Sequence, residues 1–282
     1  MKASANAILS RHRGMPAQDG AGVKLTRIVN QPGLGYQDPF LMLDEFRSDD
    51  PNDYIAGFPP HPHRGFVTLT YMLAGQMEHK DSVGNTGMVS AGGAQWMKAA
   101  RGIIHAEMPK QEDGLMWGFQ LWINLSAKDK MSAAEWADYP AGKIPEYHAD
   151  AVTVRVIAGE LSTAEDTLKG PVQQPEQAFQ MLDVRFAQGA VWQYAGQGQQ
   201  TRLGYVYQGQ VSVNGAAVSR GELVRLDADT ELTLRSEGAA GMLLLAGQPI
   251  GEPVAQYGPF VMNHQAEIEQ AIRDYQSGKL TA

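Results

Sequence analysis

The sequence predicts an all-β protein: two tandem β-barrels or sandwiches with one helix at the C-terminus. Two regions of strand-like runs, a faint internal repeat and a short amphipathic tail carry that prediction. Between about 60 and 125, runs rich in β-branched and aromatic residues, such as GFVTLTYMLAG and IIHAEMP, are broken at Ala74-Gly75, Gly84-Asn85 and Gly92-Gly93. Such spacing of strands and turns belongs to a sandwich or barrel. From about 179 to 246 it returns in MLDVRFAQGAVWQY, LGYVYQGQVSVNG, ELVRLDADTELTLRS and GMLLLAG.

The two regions share a turn signature. Tyr71-Met-Leu-Ala-Gly75-Gln76 answers to Tyr205-Val-Tyr-Gln-Gly209-Gln210, and Gly93 to Gly221, which suggests an internally duplicated β domain. Between them, ADYPAGKIPEYHADA interrupts every periodicity with prolines and a glycine and suits a connection between domains. The expected division is therefore 1–140 and 141–282. In the tail AEIEQAIRDYQ, Ile268, Ala271, Ile272 and Tyr275 recur at helical spacing and Gly278 is a stop, so a docked amphipathic helix is expected.

Composition narrows the function classes. The chain has 282 residues, 43% hydrophobic and 19% charged, with 31 glycines and 15 prolines, which fits a turn-rich globular protein large enough for two domains. A net charge of −8 argues against direct binding to nucleic acid or an anionic membrane, since phosphate affinity needs clustered Lys and Arg. With no cysteine there is no disulfide, thiolate ligand or Cys nucleophile, so a metal would be held by His and carboxylate. The stretch MKASANAILSRHRG has too short an apolar segment for a secretory signal, and no run approaches a membrane span, so a cytoplasmic protein is expected. There the sequon Asn124-Leu125-Ser126 would stay unmodified.

Two pairs stand out: His61-Pro62-His63 in FPPHPHRGF, and His105-Ala106-Glu107 in IIHAEMP. In a strand, residues i and i+2 share a face about 6.5 Å apart, and a neighbouring strand lies about 4.8 Å away. Two such strands could bring three imidazoles and one carboxylate to a single metal; the alternative is four unrelated polar positions. Recurrence of the i, i+2 pair in a β-rich region favours the first. Such a donor set suits iron, manganese, nickel, copper or zinc, and not calcium or magnesium. The other histidines lack partners in sequence: His79, in MEHKDSVGN, is expected to face solvent, and His12, His148 and His264 sit in polar or terminal contexts. The methionines Met72, Met77, Met88, Met97, Met108 and Met116 read as core fillers.

The motifs DPFLMLDEFRSDDPNDYIAGFPPHPHRGF, EHKDSVGNTG, QWMKAARGIIHAEMP and QYGPFVMN together resemble the pirin family of bicupin proteins, over nearly the whole chain and least in QQPEQAFQ and the first ten residues. The resemblance implies two jelly-roll-like cupin barrels, the first with a mononuclear metal on His61, His63, His105 and Glu107. Two departures stand out. Where many metal-binding cupins carry a further glutamate, this chain has Val67. If the strand runs on unbroken, Val67, Leu69, Tyr71 and Leu73 form an apolar row on the same face as His61 and His63, while Pro62 and Arg64 point away. The second region has neither a His-x-His near QYAGQGQQTRLGYVYQGQ nor a His-x-Glu, so its barrel is expected to be metal-free.

The resemblance further implies a quercetin 2,3-dioxygenase-type enzyme, with one divalent metal per chain, iron(II) first and nickel, manganese, copper or zinc as alternatives. The substrate would be a flavonol, a small aromatic molecule, and Glu107 would also act as the catalytic base. The alternative it offers is a redox-responsive module that binds a transcription factor or metabolic enzyme. A two-barrel chain has no obvious need to dimerise, so a monomer is expected.

Overall fold

The computed structural model describes residues 7–174, 176–195 and 201–282. The chain is all-β, two cupin barrels with a single α-helix among the described residues, Gln265–Gln276. Among the described residues no helix is long and apolar enough to cross a membrane.

The two barrels are not consecutive in sequence. The first consists of residues 15–143 and 250–282, and the second of residues 1–14 and 144–249. The linear division at 140 therefore differs from the structure at both termini. The strand Ile8–Arg13 pairs antiparallel with Glu222–Leu226 in the second barrel, and the C-terminal helix belongs to the first. Pairing across more than 200 residues leaves no local trace in composition or periodicity, which is why the sequence suggested one cut.

Each barrel is a seven-stranded sheet and a four-stranded sheet. In the first, the larger sheet runs in the order Glu135–Tyr139, Ala94–Lys98, Phe66–Ala74, Met116–Asn124, Phe40–Ser48, Val23–Val29, Met15–Asp19. The smaller is Phe58–His63, Ile103–Pro109, Gln76–Asp81, Thr86–Ser90. In the second barrel, the pair Gln210–Val213 and Ala216–Ser219 is joined by Asn214-Gly215, both at positive φ, as a two-residue hairpin of right-handed twist requires.

The repeat read from the sequence has a structural counterpart with one adjustment. Gly75 and Gly209 each carry the chain at positive φ, 84° and 65°, from a long strand of the seven-stranded sheet into a strand of the four-stranded one. The Gly221 amide donates to the Val206 carbonyl, three residues before Gly209; the Gly92 amide does the same to Met72, three residues before Gly75. Gly221 (φ 83°) thus corresponds to Gly92 (φ 77°) and not to Gly93.

The helix buries Ile268 and Ala271 against Phe260, Met262 and Leu280, with Ile272 partly covered. Tyr275 lies at the edge, 41% exposed, its ring 6.4 Å from that of Phe260. Glu267 accepts from the Asn263 and His264 amides, satisfying groups that the first turn leaves open.

Candidate metal centre

The His-x-His strand, Phe58–His63, lies at the edge of the four-stranded sheet beside the His-x-Glu strand, Ile103–Pro109. The pairing is antiparallel with His105 directly opposite His61. Alternation then puts His61, His63, His105 and Glu107 on one face. His63, His105 and Glu107 are 3%, 2% and 2% exposed, and His61 is half-buried.

The three imidazoles converge, their ring nitrogens within 4.8 Å of one another. His61 Nδ1 lies 2.8 Å from the Pro59 carbonyl, which requires a proton on Nδ1 and turns Nε2 toward the other histidines. That Nε2 is 2.9 Å from His63 Nε2. His105 Nε2 and His63 Nδ1 are buried without a hydrogen-bond partner. The Pro259 carbonyl is close enough to favour a proton on His63, though outside hydrogen-bond geometry. Burial, reinforced by the neighbouring histidines, holds His63 and His105 well below the ordinary imidazole pKa, so both are neutral near pH 7.

Glu107 is fixed by neutral donors. Gln120 Nε2 donates to Oε2 at 2.9 Å and Thr70 Oγ1 to Oε1 at 3.3 Å. The amide is oriented in turn by Trp122, whose indole N–H donates to Gln120 Oε1 at 3.2 Å. Among the described residues no Lys or Arg pairs with Glu107, so an ionised carboxylate there has no cationic partner within the protein.

These residues fit a divalent metal. Imidazoles with converging nitrogens can serve as ligands, and N–H groups turned to carbonyls or other acceptors hold such rings in place. Two nitrogens about 2.1 Å from one ion and at right angles are about 3.0 Å apart. The 2.9 Å between His61 and His63 therefore suits neighbouring positions of an octahedral ion.

His61 and His63 open onto a cleft of about 860 Å³. His61, His63, Gln120 and Trp122 line it with Phe58, Pro59, Met42 and Pro259, and Arg27, Asn30 and Gln256 supply polar edges. Arg27 is held by two parallel bonds to Asp44, at 3.0 and 2.8 Å. Pro259 comes from QYGPFVMN, whose backbone bridges the His-x-His strand: Val261 N donates to the Arg64 carbonyl at 3.0 Å. The motif thus forms part of the cleft wall.

Two sequence expectations, for Val67 and His79, need correction. Val67 does not share a face with the histidines. The chain breaks at Gly65 (φ 92°), where a Cβ would come within 1.8 Å of the Val261 carbonyl, and then enters the other sheet. Parity does not survive that break: Phe66, Thr68 and Thr70 face the site, with Phe66 ring-to-ring 5.0 Å from His63, and Val67 points the other way. Arg64 does point away from the histidines, but into the protein, pairing with Asp274 at 2.7 Å and with the carbonyls of Arg101 and Leu280. His79 is not solvent-facing: it is 0% exposed, its Nδ1 3.3 Å from His105 Nδ1. The turn begins only after Asp81, and Met77 and His79, two apart and both buried, were the available signal of a strand with an inward face.

Comparison with known proteins agrees with this architecture. The pirin family model matches residues 22–123 and that of the pirin C-terminal cupin domain residues 181–281. A protein of Pseudomonas aeruginosa, provisionally named a quercetin 2,3-dioxygenase, is 48% identical over 278 residues, 97% of each chain. The crystal structure of a quercetin 2,3-dioxygenase from Acinetobacter baumannii matches with a TM-score of 0.88 at 31% identity, over 98% of each chain. The bacterial pirin YhhW from Escherichia coli, solved in complex with nickel(II), shares the fold at 17% identity and a TM-score of 0.66, over 85% of this chain and 99% of its own. By sequence, by fold and by the pair of barrels, the chain belongs to the pirin family of bicupin proteins.

Proposed function

We propose that the protein is a metal-dependent oxidoreductase of the quercetin 2,3-dioxygenase type, with His61, His63, His105 and Glu107 holding one divalent ion, iron(II) first among the candidates. One observation carries this reading: three converging imidazoles, two of which, His61 and His63, line a cleft of about 860 Å³ with aromatic and apolar walls. The names of the Pseudomonas and Acinetobacter proteins point to the same reaction.

When bound, the metal supplies Lewis acidity toward a substrate hydroxyl and a redox partner for dioxygen. The chain's residues do the rest. Phe58, Met42 and Trp122 offer flat and apolar surface to a planar ring system, and the narrow polar edge formed by Arg27, Asn30 and Gln256 can accept hydroxyl or carbonyl oxygens. Glu107 accepts the proton of the flavonol 3-hydroxyl, its carboxylate kept in one orientation by Gln120 and Thr70. Burial of His63 and His105 keeps them neutral and able to ligate at neutral pH. Ring cleavage by dioxygen then releases carbon monoxide.

The test is oxygen uptake and carbon monoxide release from a flavonol by iron-loaded protein, compared with His61→Ala and Glu107→Ala. Turnover in the parent and its loss in both variants is expected. No turnover in the parent, or equal turnover in the variants, overturns the proposal.

A further inference from the structure

His79 takes no part in the four-residue donor set, yet it is the most deeply enclosed histidine of the site. It faces the barrel interior from the strand Gln76–Asp81, directly opposite Glu107 and diagonal to His105. Its Nδ1 lies 3.3 Å from His105 Nδ1, and its Nε2 is buried with no hydrogen-bond partner. Trp136 lies over the ring, centroids 5.5 Å apart and planes 31° apart.

A hydrogen bond between two Nδ1 atoms holds one proton, so the pair has two arrangements. If His79 donates, His105 carries its other proton on Nε2, facing His61 and His63, and cannot ligate there. If His105 donates, its Nε2 is bare and the second proton of the pair sits on His79 Nε2. The surroundings of His79 choose between them. Gly87 is its cross-strand partner, and a Cβ built on Gly87 would lie 1.9 Å from Asp138 Oδ2 and 2.6 Å from Trp136. The missing side chain is therefore the space that the Asp138 carboxylate and Trp136 occupy beside the cross-strand partner of His79. Asp138 Oδ1 is held by Gln95 Nε2 at 2.7 Å, which keeps the carboxylate in place. Asp138 is near enough to interact electrostatically with His79, and a carboxylate attracts an N–H and repels a bare lone pair.

We propose that His79 is a positioning residue for the metal centre: it accepts the Nδ1 proton of His105 and so fixes the tautomer and ring orientation that present His105 Nε2 to the ion. Asp138, admitted by Gly87, sets the direction of that bond. The inference rests on the reading of His105 as a ligand.

Long-range proton–nitrogen correlation spectra of the imidazoles in the metal-free protein read the tautomers directly. Protons on His105 Nδ1 and His79 Nε2 are expected; a proton on His105 Nε2, or on His79 Nδ1, overturns the proposal without any variant. The second measurement is nickel(II) affinity by competition with a chelator. His79→Leu, which removes the acceptor, should weaken binding by roughly 10–100-fold, the usual cost of losing such an outer partner. His79→Asn can place an oxygen where Nδ1 stood and should restore most of the affinity. Thermal unfolding of the metal-free variants separates this from a packing role: parent affinity in His79→Leu, or equal weakening in both variants in proportion to lost stability, defeats it. His105→Ala distinguishes the two readings. If it binds nickel like the parent, the ligand assignment fails; if it loses nickel while His79→Leu keeps it, only the positioning role fails.

Discussion

The two barrels share a seven-plus-four sheet plan and differ in what fills them. The first encloses histidines, a carboxylate, Gln120, Thr70 and Trp122. The second is packed with Leu182, Val184, Val206, Val224, Leu234, Met242 and Leu244, all within its main apolar cluster. The same scaffold thus supports either a hydrogen-bonded polar interior or a hydrocarbon one. The polar version needs every buried group oriented, which in the first barrel is done by the Trp122–Gln120–Glu107 chain and the His79–His105 pair. The apolar version needs only volume and shape.

That contrast can be broken from either side. The largest effect is expected from His105→Ala: metal affinity should fall by more than the roughly 10–100-fold typical of an outer partner, as elemental analysis after dialysis would record. Metal retained at one ion per chain would remove the distinction between the barrels. In the second barrel, Leu244→Ala should cost about 2–5 kcal/mol by leaving a cavity, measured by denaturant unfolding, with metal content unchanged.

Lys130 sharpens the contrast through pH. Its amine is buried in the first barrel, bonded to Asn124 Oδ1 at 2.6 Å and to the carbonyls of Gly65 and Val261 at 2.7 and 3.0 Å. Burial pushes it down to about 8 from 10.5, with Glu252 and Glu267 pulling the other way. Between those values the unfolded chain binds the proton and the folded chain does not, so stability should rise as pH climbs through that window. The rise is at most on the order of 3 kcal/mol, and Lys130→Met should abolish it in unfolding curves at pH 8 and 10. The smallest effect is expected from Gln120→Leu, which frees one Glu107 oxygen: about tenfold weaker metal binding with the histidines intact, read by chelator competition.

Much of this was legible in the sequence. Strand runs and turn glycines announced the β architecture, and the i, i+2 spacing of His61/His63 and His105/Glu107 converts directly into a shared strand face. What resisted reading was long-range or hinged on one backbone angle. Gly65 at positive φ ends one strand and starts another in a different sheet, so the alternation counted through it assigned Val67 the wrong side. His79 looked like turn material because Glu78, Lys80 and Asp81 surround it, although those residues occupy the alternate face or the strand end. Gln120 and Trp122 lie in an apolar strand, where nothing local marks them as holding a carboxylate.

The return of residues 250–282 to the first barrel has a consequence for the order of synthesis. All four ligand candidates lie between 61 and 107, but Pro259, Val261 and Asp274, which back the His-x-His strand and pair with Arg64, are made only after residues 144–249 of the other barrel. Domains usually complete in the order in which they are translated. Here the barrel that carries the candidate ligands cannot be completed until residues 144–249 of the other have been synthesised, so a chain stopped at 249 carries every ligand candidate and lacks the wall behind them.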